Sequence, residues 1–523
     1  MCTFVSDLED VRLSELVAVL SFSSDLALGQ PMEHVLRACL LALRLADRLG
    51  LDEDARAETY WVTLLATVCT GESFELAQAF GDDVAFRAGI YHVGPSQLAV
   101  MFYVMGRAGA GGSPATRART AAGLAAGGGR EVEGIFLDHC ALTRRIADRL
   151  DLPAGVGEAL SFTFSRWDGK GVPRGAVPAE VPVSVRVMQV ADAAEVHHRL
   201  RGVEGAREAV QRHSGKLFAP EVARAFRSSA AELLEGLDDA TWDRVIAAEP
   251  QPRPPLSPER FDQVLLVLAD IADLKSPWFS GHSRGVAGLA SRAVAEAGMP
   301  LEDAATVRRA GWIHDLGRTA ISNSVWDKRE PLAEGDRERV RLHAYYTDRM
   351  LRRPAALAAL APIASAHHER LDGSGYPRGA RGADIAPLAR FLAAADVYHA
   401  LREDRPQRPP FQPDEAAEHL RAQARGGALD PAAVDAVLAV SGHARSGPPA
   451  APAGLTPREV EVLVLVARGA STRHVARVLQ ITPKTAANHI QRIYAKIGVS
   501  SRSTATLFAL QHGMLSTLDP VQR

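Results

Sequence analysis

The chain repeats itself. Residues 164–175, FSRWDGKGVPRG, align with residues 368–379, HERLDGSGYPRG, at an offset of 204, and the same offset pairs His139 with His343 and Asp192 with Asp396 without a gap. Upstream, an offset of 248 pairs His34 with His282 and WVTLLATVCT at 61–70 with RAGWIHDLGR at 309–318. A duplicated segment of this length must fold as two similar units, so whatever architecture is proposed has to work twice. The first copy is 44 residues longer, the difference between the two offsets, and the surplus lies within 71–137. That stretch contains GRAGAGGSPATRARTAAGLAAGGGR, whose Gly/Ala-rich composition reads as a flexible surface loop.

Apolar residues recur at helical spacing in most segments, as in Val35, Leu36, Cys39, Leu40 and Leu43, or from Val264 to Leu274, and an all-α fold is expected throughout. VPVSVRVMQVA at 181–191 alternates like a strand. Its counterpart in the second copy, APLARFLAAADVYHAL, is plainly helical, and the repeat overrides the local propensity. Pro-rich breaks at 247–260 and 441–454 divide the chain into blocks at 1–246, 261–440 and 455–523, because neither break can continue a helix.

The second block concentrates His282, His314, Asp315, His343, His367, His368 and Asp396 in otherwise apolar segments such as AGWIHDLG. Burying five imidazoles and two carboxylates unpaired is costly, and a divalent metal satisfies them all. The first copy is an internal control. It has Ala66 and Thr67 for His314 and Asp315, Thr70 for Arg318, and Thr163 and Phe164 for His367 and His368, retaining only His34, His139 and Asp192. It cannot hold a two-metal centre, and is expected to serve structure, dimerisation or sensing.

The second block resembles the HD-GYP family of metal-dependent phosphohydrolases through His282, HDLGR at 314–318, His343, HHERLDGSGYP at 367–377 and AADVYHAL at 394–401. The resemblance implies two tandem HD-type helical bundles, the first (1–246, insertion 71–137) degenerate and the second (261–440) intact. It implies two divalent ions, iron or manganese: Asp315 bridging, His282, His314 and Asp396 completing one site, and His343, His367 and His368 the other. Asp315 and Arg318 are the catalytic candidates, with Arg318 standing where the family usually has Lys and clamping phosphate. Substrate contacts are expected from Arg318, Asp372, Gly375, Tyr376 and Arg378, and in the family this loop is associated with cyclic dinucleotides. The positions that hold a third metal in some members are Trp278 and His399 here, which favours two ions.

From Leu455 onward nine Lys and Arg face three acids in a chain that is otherwise near neutral. Thr456, Pro457 and Glu459 form a capping box with a proline at the first helical position, Ser471 caps a second helix, and Thr482 with Pro483 begins a third. Residues 455–523 resemble the LuxR-type helix-turn-helix, a small four-helix domain. The resemblance implies that Lys484, Thr485 and Asn488 reach base edges of double-stranded DNA, with His489 on the same stripe and Arg492 and Lys496 on phosphates. The segment from Ser501 to Leu515 resembles the family's dimerisation helix, implying a homodimer.

Cys2, Cys39, Cys69 and Cys140 show no metal or disulfide spacing, fitting a reducing compartment. No signal peptide or membrane span is evident, so a cytoplasmic protein is expected. Two readings stay open: a one-component regulator that hydrolyses a cyclic dinucleotide, and a transcription factor that senses a nucleotide without turnover through a metal-stabilised core.

Overall fold

The computed structural model describes residues 11–68, 71–93, 97–239, 241–442, 452–512 and 514–515. Cys2, Cys69, Thr70 and most of the second Pro-rich break lie outside them. The fold is all-α. Among the described residues no strand forms, only the isolated bridges Ser214 to Phe218 and Arg405 to Arg408. Two compact units divide at Pro255 and Leu256, within the first Pro-rich break, and Val11 groups with the second unit.

The first unit, Arg12–Pro255, packs the His34–Arg48 helix against Glu53–Leu65 and Val183–His213. The Val-alternating stretch is helical, because Val185, Val187 and Val190 all find buried places against neighbouring helices, and packing outweighs β-propensity. The surplus segment departs from expectation: it is not a loop but helices Ser73–Phe80, Asp83–Ile90 and Gln97–Arg107, followed by the 36-residue helix Pro114–Arg149. Ser113 caps that long helix through its Oγ, which accepts from the Thr116 amide at 3.2 Å, and Pro114 sits at the first helical position. Alanine, the best helix former, carries the rest, offsetting glycines that each cost about 1 kcal/mol.

The second unit holds the HD-type bundle and the C-terminal helices together. Its central helices are Pro258–Asp273, His282–Glu296, Leu301–Ile313, Glu334–Leu351 and Pro387–Leu401. The His282–Glu296 and Leu301–Ile313 helices pack with no room between them at Gly311, where an added Cβ would lie 2.7 Å from Ala287 Cα. C-terminal helices follow at Pro457–Ala467, Thr472–Val478, Pro483–Ile497 and Arg502–Gln511. Each begins at a capping side chain: Thr456, Ser471, Thr482 and Ser501 accept from backbone amides at 3.1–3.2 Å. Within this unit Ser280 Oγ donates to the Ala467 carbonyl at 3.1 Å, two residues before His282.

Candidate metal centre

His282 opens its helix after Gly281, whose φ of +83° serves as a left-handed N-cap. His314 closes the Leu301–Ile313 helix, and Asp315 begins a short 3-10 turn, Leu316–Ala320. His343 lies mid-helix, His367 and His368 follow Ala361–Ala364, and Asp396 lies in Pro387–Leu401. The structure brings all seven together, and six are buried while His368 keeps partial exposure.

Asp315 is the hub. Its Oδ2 lies 2.8 Å from His314 Nε2 and 3.3 Å from His282 Nε2, and its Oδ1 lies 3.4 and 3.5 Å from the Nε2 atoms of His343 and His367. Asp396 Oδ1 lies 3.2 Å from His282 Nε2, and Asp396 Oδ2 lies 3.9 Å from His368 Nδ1.

The tautomers decide what this cluster can hold. His314 Nδ1 donates to the Gly311 carbonyl at 2.7 Å, His367 Nδ1 to Ala364 at 2.6 Å, and His343 Nδ1 to Val340. A neutral imidazole carries one proton, so in all three rings Nε2 presents a lone pair to a carboxylate that also offers only lone pairs. Both Asp315 oxygens and His314 Nε2 are buried without an aligned hydrogen bond. Lone pairs converging from four side chains call for a cation, and imidazole and carboxylate suit a divalent transition metal. Two ligand groups are close enough to share an ion each: His282, His314 and Asp315, and His343, His367 and His368.

Charge follows the same logic. Burial raises Asp315, but Arg318, His314 and His282 hold it well below the usual carboxylate range. Burial pushes His343 down to about 3, against the pull of Asp315, keeping it neutral. Arg318 Nη2 lies 2.6 Å from Asp315 Oδ2 and 3.2 Å from His282 Nε2, with the guanidinium 4.2 Å over the Phe279 ring. The Tyr376 ring lies 4.7 Å from that of His368, and burial raises its hydroxyl well above the usual phenol range.

Two expected substrate residues are committed elsewhere. Asp372 is exposed and accepts from Ser374 N and Oγ at 2.9 and 2.7 Å, forming the turn. Arg378 pairs with Asp348 at 2.5 Å and donates to Ser365 Oγ at 3.2 Å, fastening the loop to the Glu334–Leu351 helix. Gly375 is there for space: a Cβ would meet the Arg370 amide at 2.4 Å, and at the matching Gly171 it would meet the Arg166 amide at 2.5 Å.

Glu403 escaped sequence reasoning. Its Oε2 lies 2.9 Å from His282 Nδ1, Oε1 lies 3.2 Å from His399 Nδ1, and Arg405 pairs with it at 2.6 Å. His282, His399 and Glu403 form a third group of ligand-type atoms. The signal was its position, seven residues beyond Asp396 and just past the end of the Pro387–Leu401 helix, but the first copy has Arg199 there and hid it.

In the first copy the counterparts satisfy one another. His34 Nε2 lies 3.0 Å from Asp192, and its Nδ1 lies 2.5 Å from Glu195, which Arg37 meets at 2.6 Å. His139 Nε2 donates to the Ala66 carbonyl at 2.8 Å, and Nδ1 faces Glu72 at 3.2 Å. Glu195 occupies the position of His399, and Arg37 that of Gly285. The two exchanges are linked, since a Cβ on Gly285 would lie 1.9 Å from His399 Nε2.

On the Pro483–Ile497 helix, Lys484, Asn488 and Arg492 are exposed, and Thr485 and His489 partly so. Lys496 differs: Nζ pairs with Glu459 at 2.7 Å and donates to the Gly454 carbonyl at 3.2 Å, bracing the capping box. The expected dimerisation helix is covered within its own chain. Thr506, Leu507 and Leu510 are buried, and a Cβ on Gly281 would lie 3.5 Å from Leu510 Cδ2. No described helix is long and apolar enough to cross a membrane.

Comparison with known proteins agrees with this geometry. Residues 266–433 match the HD domain family, and residues 453–509 match the bacterial regulatory proteins of the luxR family. The chain is 28% identical over 410 residues to 3'3'-cGAMP-specific phosphodiesterase 3 of Vibrio cholerae, covering 77% of this chain and 89% of that one. It is 34% identical over 184 residues to the cyclic di-GMP phosphodiesterase response regulator RpfG of Xanthomonas campestris pv. campestris, covering 34% of this chain and under half, 48%, of that one. A crystal structure of a cyclic GMP-AMP-specific phosphodiesterase from V. cholerae shares the fold with a TM-score of 0.58 at 24% identity, over 83% of this chain and 99% of that one. The chain combines an HD domain, similar to those of metal-dependent cyclic-dinucleotide phosphodiesterases, with a LuxR-type domain.

Proposed function

We propose that residues 261–440 hydrolyse a cyclic dinucleotide and residues 455–523 bind double-stranded DNA, making the chain a one-component transcriptional regulator of the cytoplasm. The observation that carries the catalytic reading is the convergence of three unprotonated Nε2 atoms on the two oxygens of Asp315. His282, His314 and Asp396 would hold one divalent ion, iron or manganese, and His343, His367 and His368 the other, with Asp315 between them. Two such ions, when bound, supply the positive charge that stabilises the attacking and leaving oxygens of a phosphoryl displacement.

The chain's own residues do the rest. Arg318, stacked on Phe279 and buried, presents a fixed guanidinium to phosphate oxygens, a planar fork where lysine would be a point charge. Tyr376, beside His368, offers a ring face to a base and keeps its phenol proton at neutral pH. Glu403 fixes the His282 ring through Nδ1. The substrate class draws support from the relative aligned over 89% of its length, which is named for 3'3'-cGAMP.

Incubating manganese-loaded and iron-loaded protein with 3'3'-cGAMP and with cyclic di-GMP, beside His314→Ala/Asp315→Ala, tests the proposal. Linear product from the native protein alone is expected. Equal product from both proteins, or none from either with both nucleotides and metals, overturns the catalytic reading. DNA binding is tested separately by mobility shift with fragments upstream of the chain's own gene.

A further inference from the structure

The first unit has lost its metal ligands but carries a cavity of about 370 Å³, within the range of small-ligand sites. Arg201 and Arg212 line it together with His92, His197 and His213, and among the described residues no carboxylate belongs to its walls. Among the described residues neither arginine pairs with an acid, and the polar contact of Arg201 is with another basic group, Nη2 donating to His197 Nδ1 at 3.1 Å. That bond places the proton of the neutral His197 ring on Nε2, as a further donor. His213 Nδ1 is buried without a hydrogen-bond partner. The crowding is felt: burial first, then His197, Arg212, Arg166 and Lys216, push His213 down to about 4.

The backbone builds this arrangement. The Val183–His213 helix breaks at Arg201 and Gly202, where Gly202 adopts φ +68° and ψ −169°, a region open essentially to glycine alone. The break turns the chain so that Arg201, within it, and Arg212 and His213, at the helix end, line one space. Tyr91 and Val93, from the stretch in which the first copy is longer, complete the lining, with Leu200 adding apolar surface. Tyr91 is anchored, its hydroxyl donating to Asp192 Oδ1 at 3.3 Å. The HD scaffold does not demand these residues: at the 204 offset, His197 and Leu200 become Leu401 and Asp404, and Arg405, the counterpart of Arg201, is neutralised by Glu403 at 2.6 Å.

Two guanidiniums without a counter-charge, with three imidazoles beside them as hydrogen-bonding groups, match a phosphate group, and an aromatic and aliphatic wall beside them matches a base. We propose that this cavity binds a phosphate-bearing nucleotide, so that the degenerate copy is a ligand-sensing unit. Isothermal titration of the full chain with GMP, AMP and inorganic phosphate tests it. Binding of at least one nucleotide is expected, persisting in His314→Ala/Asp315→Ala and weakened at least tenfold in Arg201→Ala/Arg212→Ala with the circular dichroism spectrum unchanged. Arg201→Lys/Arg212→Lys, which keeps the charge, should recover part of the affinity. Absence of nucleotide binding at millimolar concentration, loss of binding only in the His314/Asp315 variant, unchanged affinity in the arginine variant, or inorganic phosphate binding as tightly as the nucleotides would each overturn the proposal.

Discussion

The Nε2 atoms of His343 and His367 lie 3.2 Å apart, and each ring has already given its one proton to a backbone carbonyl. Two facing lone pairs are held together by what they ligate. His367→Ala should therefore lower bound divalent metal by about one equivalent and reduce cyclic-dinucleotide turnover by more than the roughly 10–100-fold typical of losing an outer partner. Elemental analysis beside product chromatography checks both. Full metal content in the variant would remove His367 from the ligand set.

Glu403 supplies such an outer partner. Glu403→Gln keeps the shape but weakens the hold on His282 Nδ1, and metal affinity should fall about 10–100-fold with the helix content intact. Competition with a chelator measures it. An unchanged affinity would make Glu403 a structural ion pair to Arg405 only.

Much of this was legible in the sequence, for reasons that differ by residue. The seven ligand-type residues stood out because metal chemistry narrows the choice of side chain and the repeat supplied a copy without it. Thr456 and Glu459 declared their helix start because a capping box is local. Arg378 and Lys496 were legible as cations but not as partners, since Asp348 and Glu459 reach them only through the fold. The Pro114–Arg149 helix was missed because glycine content masked an alanine-rich run with a Ser113 cap.

Gly285 has no side chain because His399 occupies its space. Gly285→Ala should lower the stability of the second unit by about 1–3 kcal/mol, as overpacking does, and should displace His399 away from Glu403. Thermal denaturation checks the first effect. Gly285→Ala/His399→Ala should recover most of the loss, and failure to recover would place the strain elsewhere.

His34 gives the first unit a pH dependence. Burial alone would lower it, but Asp192 and Glu195 hold it at about 10, against an ordinary value of 6.5. A raised folded value means the stabilisation is complete below about pH 6.5 and is lost as pH climbs through about 10. The melting temperature of this unit should fall over that interval, and His34→Gln should flatten the fall while lowering the acid-side plateau. A native profile that is flat from pH 6.5 to 10 would show that the three groups do not share a proton in this way.

On the recognition helix the exposed Asn488 and Arg492 should separate from Lys496. Asn488→Ala and Arg492→Ala should weaken DNA retention, the former by about 1–3 kcal/mol of base discrimination. Lys496→Ala, which loses a partly exposed pair with Glu459, should cost at most about 1 kcal/mol of stability and leave retention nearly unchanged. Mobility shifts at two salt concentrations distinguish base contact from phosphate contact.

The pairs Arg37 with Glu195 and Gly285 with His399 are interlocked, each fitted to its own copy. Histidine at 195 would leave the Arg37 guanidinium without its 2.6 Å partner, and glycine at 37 would leave Glu195 with His34 as its near partner at 2.5 Å. Each copy therefore keeps its own pair: moving one residue without the other takes a contact from the first copy and space from the second.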